Sequence, residues 1–333
     1  MKTGRWIFVR TVGVTGPVVL LTLLNLILPG LVANAAEQQR GAKSGPKHPA
    51  PRKKPSTSST VRGHRLLFGG TELRHVYLLD ADGKVQWSYP TTGPVCDLAQ
   101  RKNGNVLFAD RNSAKEVKPD RTVLWEYKAP KGSEIFTCQP LPKSRVMILR
   151  NGSPPMLMEF DTATGKREKT LQVPTVTKKV HGQFRVGRRT SRGTYLLPYL
   201  SENKVCELDS DGKVIRTIRD VKAPFQAELL DNGNILIGGG FGRQILEVAP
   251  DDKVVWKITA DELPGEPLKF VAGIQRLANG NTVLVNWAGH VAHAPTAQML
   301  EVTPAKKIVW KFRDWKNFSA LSSVSILDAA PRK

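Results

Sequence analysis

Asn232-Gly233-Asn234-Ile235-Leu236-Ile237, followed by Glu247 and then by Lys253-Val254-Val255-Trp256, is the stretch on which the fold turns. Asn-Gly supplies the positive φ angles of a tight hairpin turn, and the β-branched run after it reads as a strand. The same pieces return in the same order along the chain. Asn-Gly-Asn recurs at 103–105 and 279–281, ahead of runs such as Val106-Leu107-Phe108. Glu116, Glu207, Glu247 and Glu301 stand nine residues before a Trp-type position, with Glu159 one residue further out. That position is Trp87, Trp125, Trp256 or Trp310, with Lys169 and Arg216 filling it in units three and four. Asp82-Gly83 and Asp211-Gly212 mark a second tight turn within a unit.

Each unit therefore reads as strand A, Asn-Gly turn, strand B, loop, strand C, Asp-Gly turn, strand D. The spacings between Trp-type positions are 38, 44, 47, 40 and 54 residues, which bracket the period of propeller blades. The first unit lacks strand A, because Arg65-Leu66-Leu67-Phe68 already reads as strand B. An unpaired strand-like run stands at the other end, Ser323-Val324-Ser325-Ile326-Leu327-Asp328, matching the A strands at 225–230 and 272–277. It is expected to complete blade one and close the ring, removing exposed sheet edges. Residues 64–328 give about 44 residues per blade for six blades. The expected fold is all-β, a six-bladed β-propeller of four-stranded antiparallel blades occupying 64–333. Recurrent tryptophans at one position suit large side chains packed between blades.

Leu79-Asp80-Ala81-Asp82-Gly83-Lys84-Val85-Gln86-Trp87 and Glu159-Phe160-Asp161-Thr162-Ala163-Thr164-Gly165-Lys166 resemble the repeats of the quinoprotein-like propellers, the superfamily with pyrroloquinoline-quinone-type repeats. The resemblance covers the propeller and implies the fold. The quinone dehydrogenases use an adjacent Cys-Cys pair, which is missing here, so no quinone or other cofactor is expected. The Asn-Gly-Asn blades also resemble arylsulfotransferase propellers, which are six-bladed and use a His near the channel; His181-Gly182-Gln183-Phe184 is the nearest match.

The N-terminus carries an address. Lys2, Arg5 and Arg10 precede an uncharged run, Thr11 to Ala36, and Pro29-Gly30 breaks any helix before Ala33-Asn34-Ala35, an A-x-A cleavage pattern. Residues 1–36 read as a signal peptide, with an uncleaved membrane anchor as the alternative, since the run is long enough to span a bilayer. Residues 37–63, rich in Pro, Ser, Lys and Arg, read as a disordered basic tether. The net charge of +21 divides into +3 before the cleavage site, +6 in the tether and +12 beyond it. A basic propeller favours an anionic small molecule, glycan or protein as partner. Export to the periplasm or the exterior argues against nucleic acid, and a monomer is expected. Three cysteines, Cys96, Cys138 and Cys206, are too few and too irregular for a disulfide framework or a metal site, and read as small buried hydrophobes.

Strand direction selects a face. In a four-stranded meander the A–B and C–D turns share one face, while the B–C and D–A loops share the other. The length variation falls in the second set, and variable loops on a rigid scaffold are where binding concentrates. The B–C loops supply Arg74, Arg111, Asn112, Arg150, Asn151, Asn203, Arg243, Asn286 and Trp287, with His293 nearby. Arg offers a forked set of donors for a carboxylate or sulfate, and Asn adds neutral hydrogen bonds. The bland alternative is that a basic protein puts Arg on every loop and that Asn favours turns. His290 and His293 lie three apart without a third ligand, so no metal site is expected. His181 and His290 are the candidates for a catalytic group. The expectation is thus an exported, non-catalytic propeller binding an anionic ligand on its loop face. The alternative is an arylsulfotransferase-like enzyme acting on a sulfated or acidic glycoconjugate.

Overall fold

The computed structural model describes residues 62–290 and 293–328. The expected signal peptide lies outside the described residues, as does the tether apart from Arg62 and Gly63. Twenty-four strands among the described residues form six four-stranded antiparallel sheets. Blade one uses β1 (Leu66–Gly70), β2 (His75–Leu79) and β3 (Val85–Pro90). Blade two is β4 (Asp97–Gln100), β5 (Val106–Ala109), β6 (Ser113–Val117) and β7 (Val123–Lys128). Blade three is β8 (Glu134–Pro140), β9 (Arg145–Asn151), β10 (Met156–Asp161) and β11 (Arg167–Gln172). Blade four is β12 (Arg188–Arg189), β13 (Tyr195–Tyr199), β14 (Lys204–Leu208) and β15 (Val214–Ile218). Blade five is β16 (Gln226–Leu229), β17 (Ile235–Gly239), β18 (Gln244–Val248) and β19 (Val254–Ile258). Blade six is β20 (Val271–Arg276), β21 (Thr282–Asn286), β22 (Met299–Val302) and β23 (Ile308–Phe312). The last strand, β24 (Leu321–Ile326), pairs antiparallel with β1 and completes blade one. The closing strand starts two residues before the expected one.

The repeat has a physical basis. Glu116, Glu247 and Glu301 each lie directly across from Trp125, Trp256 and Trp310, and Glu159 and Glu207 face Lys169 and Arg216. Glu159 is one residue further out because its C–D turn is longer. The last Asn of each Asn-Gly-Asn turn feeds this carboxylate: Asn105 donates to Glu116 at 2.8 Å, Asn234 to Glu247 at 2.7 Å and Asn281 to Glu301 at 2.6 Å. The glycines of these turns have φ of +87°, +83° and +85°, a region closed to side chains by sterics. The second carboxylate oxygen reaches the next blade, where Thr162 donates to Glu116 at 2.6 Å and Arg276 to Glu247 at 2.8 Å. Glu and Asn recur together because one buried carboxylate must be satisfied from both sides.

The Trp-type position does a parallel job on the outer strand. Trp87 donates its indole N–H to Pro119 O at 3.0 Å, Trp256 to Pro304 O at 2.8 Å and Trp310 to Arg62 O at 2.8 Å. Lys169 donates to Ser210 O, and Arg216 to Ala249 O at 2.6 Å. Five donors of three chemical kinds thus reach a carbonyl beside the C–D turn of the following blade. Trp125 instead packs against Phe160, with ring centroids 5.4 Å apart.

A third set of joints runs round the inner strands. Asp97 accepts from Cys138 N at 2.9 Å, Thr137 from Gly187 N at 2.9 Å, Glu228 from Arg276 N at 2.9 Å and Gln275 from Ile326 N at 2.8 Å. Ser322 of the closing strand donates to Val95 O at 2.6 Å. These side chains fasten five of the six blade junctions at the channel wall, and between blades four and five Val186 N donates to Phe225 O at 2.9 Å. The hydrophobic clusters lie between successive sheets, so the core is distributed around the ring. All three cysteines are buried in it and unpaired.

Trp315 sits in a connection of the loop face, where little burial is expected, yet it is only 7% exposed and donates to Thr296 O at 2.8 Å. Ala294 of the β21–β22 connection and Ala320, just before β24, pack against it.

Candidate functional site at the channel mouth

The inner strands run from the loop face toward the turn face, so their first residues surround the mouth of the channel. A cavity of about 110 Å³ opens there, lined by residues from all six blades. Deeper along the same strands lies a separate polar well lined by Asp97, Gln139, Arg188, Gln226, Glu228 and Gln275. Arg188 crosses that well and makes a two-pronged contact with Asp97, both bonds at 2.8 Å.

The mouth has two unlike walls. One is cationic and centred on Phe136. The Arg185 guanidinium lies 4.2 Å from the ring centroid and that of Arg111 lies 5.9 Å away. Arg185 is 5% exposed, and burial lowers its pKa to about 10, which leaves it charged at neutral pH. It donates to His181 O at 2.7 Å and Phe184 O at 2.9 Å, and its other terminal nitrogen lies 3.1 Å from His181 Nε2. A guanidinium can only donate, so Nε2 is the acceptor and the His181 proton sits on Nδ1. That proton goes to Glu134, 2.8 Å away. Burial raises the Glu134 carboxyl, but the hydrogen bond from His181 and the charges of Arg111 and Arg185 outweigh it, leaving it below the usual carboxylate range.

Arg111 is placed by loop length. Arg74, Arg111, Asn203 and Arg243 all adopt left-handed backbone in their B–C loops, with φ of +53°, +68°, +51° and +51°. In the other three blades that residue ends a four-residue loop, whereas Arg111 is the centre of a three-residue loop, 110–112. Asp110 holds that short loop by accepting from Thr92 N at 2.9 Å and Ser113 N at 2.8 Å. Arg111 O then accepts from Ile135 N at 2.8 Å, and the side chain lines the mouth. Its Nε is buried without a hydrogen-bond partner.

The opposite wall is aromatic. Phe225, Phe270 and Trp287 form an edge-on chain, with centroids 5.5 Å and 5.2 Å apart, and Phe241 stands on Phe270 at 4.7 Å. Gly240 permits this approach, since a Cβ there would fall 2.2 Å from Ala223 O and 2.9 Å from the Phe270 ring. Phe241 is 58% exposed at the lip. His290 stands at the same rim, edge-on to Trp287 at 5.3 Å, with Nδ1 2.7 Å from Glu72. Cys96 also lines the mouth, but burial pushes its thiol up to about 12, against the pull of Arg111 and Arg185, so it is neutral.

No protein-family model matches this chain, and no curated protein does. Solved structures do match. A protein of unknown function from Bacteroides caccae is 27% identical, with a TM-score of 0.73 over 78% of this chain and 97% of that one. A catalytically inactive histidine-to-alanine variant of virginiamycin B lyase from Staphylococcus aureus, with quinupristin, is 12% identical, with a TM-score of 0.56 over 80% and 90%. A streptogramin B lyase is 13% identical, with a TM-score of 0.55 over 79% and 87%. The shared feature is the propeller. At 12–13% identity the lyases speak for the fold alone.

Among the residues singled out from sequence, the structure gathers Arg111, Trp287, His181 and His290 at the mouth. The others lie elsewhere. Arg74 is exposed and donates to Thr92 O at 3.0 Å; Arg243 and Asn112 are exposed outside the cavity. Arg150 turns to Tyr127 Oη at 3.3 Å and Pro154 O at 3.1 Å. Asn151 and Asn286 are buried, donating to Phe184 O at 3.1 Å and Pro267 O at 3.2 Å, while Asn203 accepts from Ala223 N at 2.9 Å. These three hold loops together. His293 is exposed, 6.0 Å from Trp315. Sequence reasoning missed Arg185, Phe136, Phe225 and Phe270. A signal existed: a Phe stands at or near the start of the inner strand in three blades.

Proposed function

We propose that this is an exported, non-catalytic propeller that binds an anionic ligand in the channel mouth on its B–C/D–A loop face. The observation that carries the reading is Arg111, a guanidinium lining a cavity with its Nε buried and unpartnered. A carboxylate or sulfate in the cavity would take up the terminal N–H donors of this guanidinium. Arg185 adds a second fixed positive charge behind Phe136. The non-catalytic part is supported by His181, whose two ring nitrogens are both engaged, and by the neutral Cys96 thiol. The export reading rests on the N-terminal sequence, and the kinship with quinoprotein-like propellers rests on the quoted repeats.

One observation favours the enzymatic alternative. His290 has Nδ1 held by Glu72, an arrangement that leaves Nε2 as an acceptor facing the rim. The histidine-to-alanine variant of the virginiamycin B lyase is catalytically inactive, so a functional histidine exists on a propeller of this kind.

A panel of carboxylates, sulfates and sulfated oligosaccharides, titrated calorimetrically into the mature protein, tests the reading. Arg111→Gln should weaken every anion that binds and flatten its salt dependence. Full affinity in that variant for each bound ligand would reject the mouth as the anion site. Turnover in the wild type that His290→Ala abolishes while binding persists would establish the enzyme instead.

A further inference from the structure

We infer that the ligand of the mouth site is a small amphipathic monoanion, with one carboxylate or sulfo group on an aromatic or short alkyl body. This rests on the anion-site reading above and narrows it to a ligand class.

The charge inventory limits the head group. Arg111 and Arg185 contribute two positive charges to the cationic wall, and Glu134 takes back one. Asp110 lies behind the wall, taken up by Thr92 and Ser113. Glu72 and His290 form an exposed rim pair, 44% and 64% exposed, where water screens the carboxylate. The surplus within the cavity is a single positive charge. Arg185 is already committed to three acceptors on its own segment, which leaves the Arg111 fork for the head group.

The aromatic wall limits the body. Beyond the arginines and histidines, the lining is Val95, Leu200, Phe225, Phe241, Phe270 and Trp287, together with smaller apolar groups and two hydroxyls. Those hydroxyls are engaged: Thr71 accepts the Trp287 indole N–H at 3.2 Å, and Ser322 donates to Val95 O. The Trp287 donor is thereby used as well. A sugar would lose water from each hydroxyl against this wall and gain few partners, a penalty for every stranded group. An aromatic or alkyl body meets no such cost and buries apolar surface. Phe241, wet at the lip in the free protein, would be covered by such a body.

The test is calorimetry with four probes: 2-naphthalenesulfonate, inorganic sulfate, neutral 2-naphthalenemethanol and a heparin hexasaccharide. The naphthalenesulfonate should bind at least roughly tenfold tighter than either sulfate or the neutral alcohol, with a negative heat-capacity change. Arg111→Gln should weaken the sulfonate roughly tenfold and leave the alcohol unchanged. Phe241→Ala, at an exposed position that leaves folding intact, should weaken sulfonate and alcohol alike but not sulfate. Binding of the hexasaccharide that depends on Arg111, with no preference for the sulfonate over sulfate, would overturn the ligand class while sparing the anion site. Binding of the alcohol and the sulfonate with equal affinity, indifferent to Arg111→Gln, would overturn both. So would the absence of binding by every probe.

Discussion

Removing the closing strand is the sharpest test of how the ring is held. A chain ending at Ala320 loses β24, whose Leu321, Val324 and Ile326 are 1%, 9% and 4% exposed. Full burial of such a side chain contributes ~1.5–3 kcal/mol, so the three together contribute about 5–9 kcal/mol. The Ser322 bond to Val95 O and the pair between Gln275 and Ile326 add about 1 kcal/mol each. β1 also becomes an unpaired edge. Domains of this kind have a net stability of about 5–15 kcal/mol, so the loss takes most or all of it. Urea unfolding followed by near-ultraviolet circular dichroism should show no cooperative transition in the truncated protein. Leu321→Ala, which keeps the strand, should fold but lose about 2–5 kcal/mol. Deleting residues 37–60 should leave the midpoint where it is. An unchanged midpoint and slope in the truncated protein would refute the closure argument.

Two further outcomes follow from particular side chains. Trp315→Ala should cost about 3–5 kcal/mol, comparable with Trp125→Ala, because both rings are 7% exposed; urea midpoints decide whether position on the loop face spares it. Glu247 should make stability fall as the pH drops through and below the usual carboxylate range. Burial raises its pKa, but hydrogen bonds from Asn234 and Asn232 and the charge of Arg276 outweigh that, so its folded pKa lies below the unfolded value near ~4.3. Its contribution is present above the unfolded value and is lost as pH falls through the folded one. Glu247→Gln should therefore lower stability at pH 6 and show a smaller further loss between pH 5 and 3 than the wild type, as read from urea midpoints.

The fold was legible because the repeat is written in residues with strict geometric duties. Glu, Asn-Gly-Asn and the Trp-type position form one cross-strand and inter-blade joint, and the pattern survives even where Lys169 or Arg216 replaces Trp, since each still supplies a donor to the next blade. The inner-strand joints were not legible. Asp97 and Thr137 stand nine residues before Val106 and Val146, and Glu228 and Gln275 seven before Ile235 and Thr282, but the residue types differ from blade to blade, so the shared duty does not show in the sequence. The face that holds the cavity was legible from strand direction, and Arg111, His181, Trp287 and His290 do meet there. The aim of each arginine was not. A difference of one residue in loop length separates Arg111 from Arg74 and Arg243, and Arg150 is drawn off by Tyr127. Asn151 and Asn286 look like exposed loop residues in sequence but are buried, because neighbouring loops need their amides.

A crystal structure of the mature protein soaked with 4-iodobenzoate tests the central claim most directly, since the anomalous signal of iodine locates the ligand without ambiguity. The account predicts the carboxylate within hydrogen-bond distance of Arg111 and the iodine toward Phe270 and Trp287. Iodine density in the Asp97–Arg188 well or on the outer strands, with the mouth empty, would contradict it.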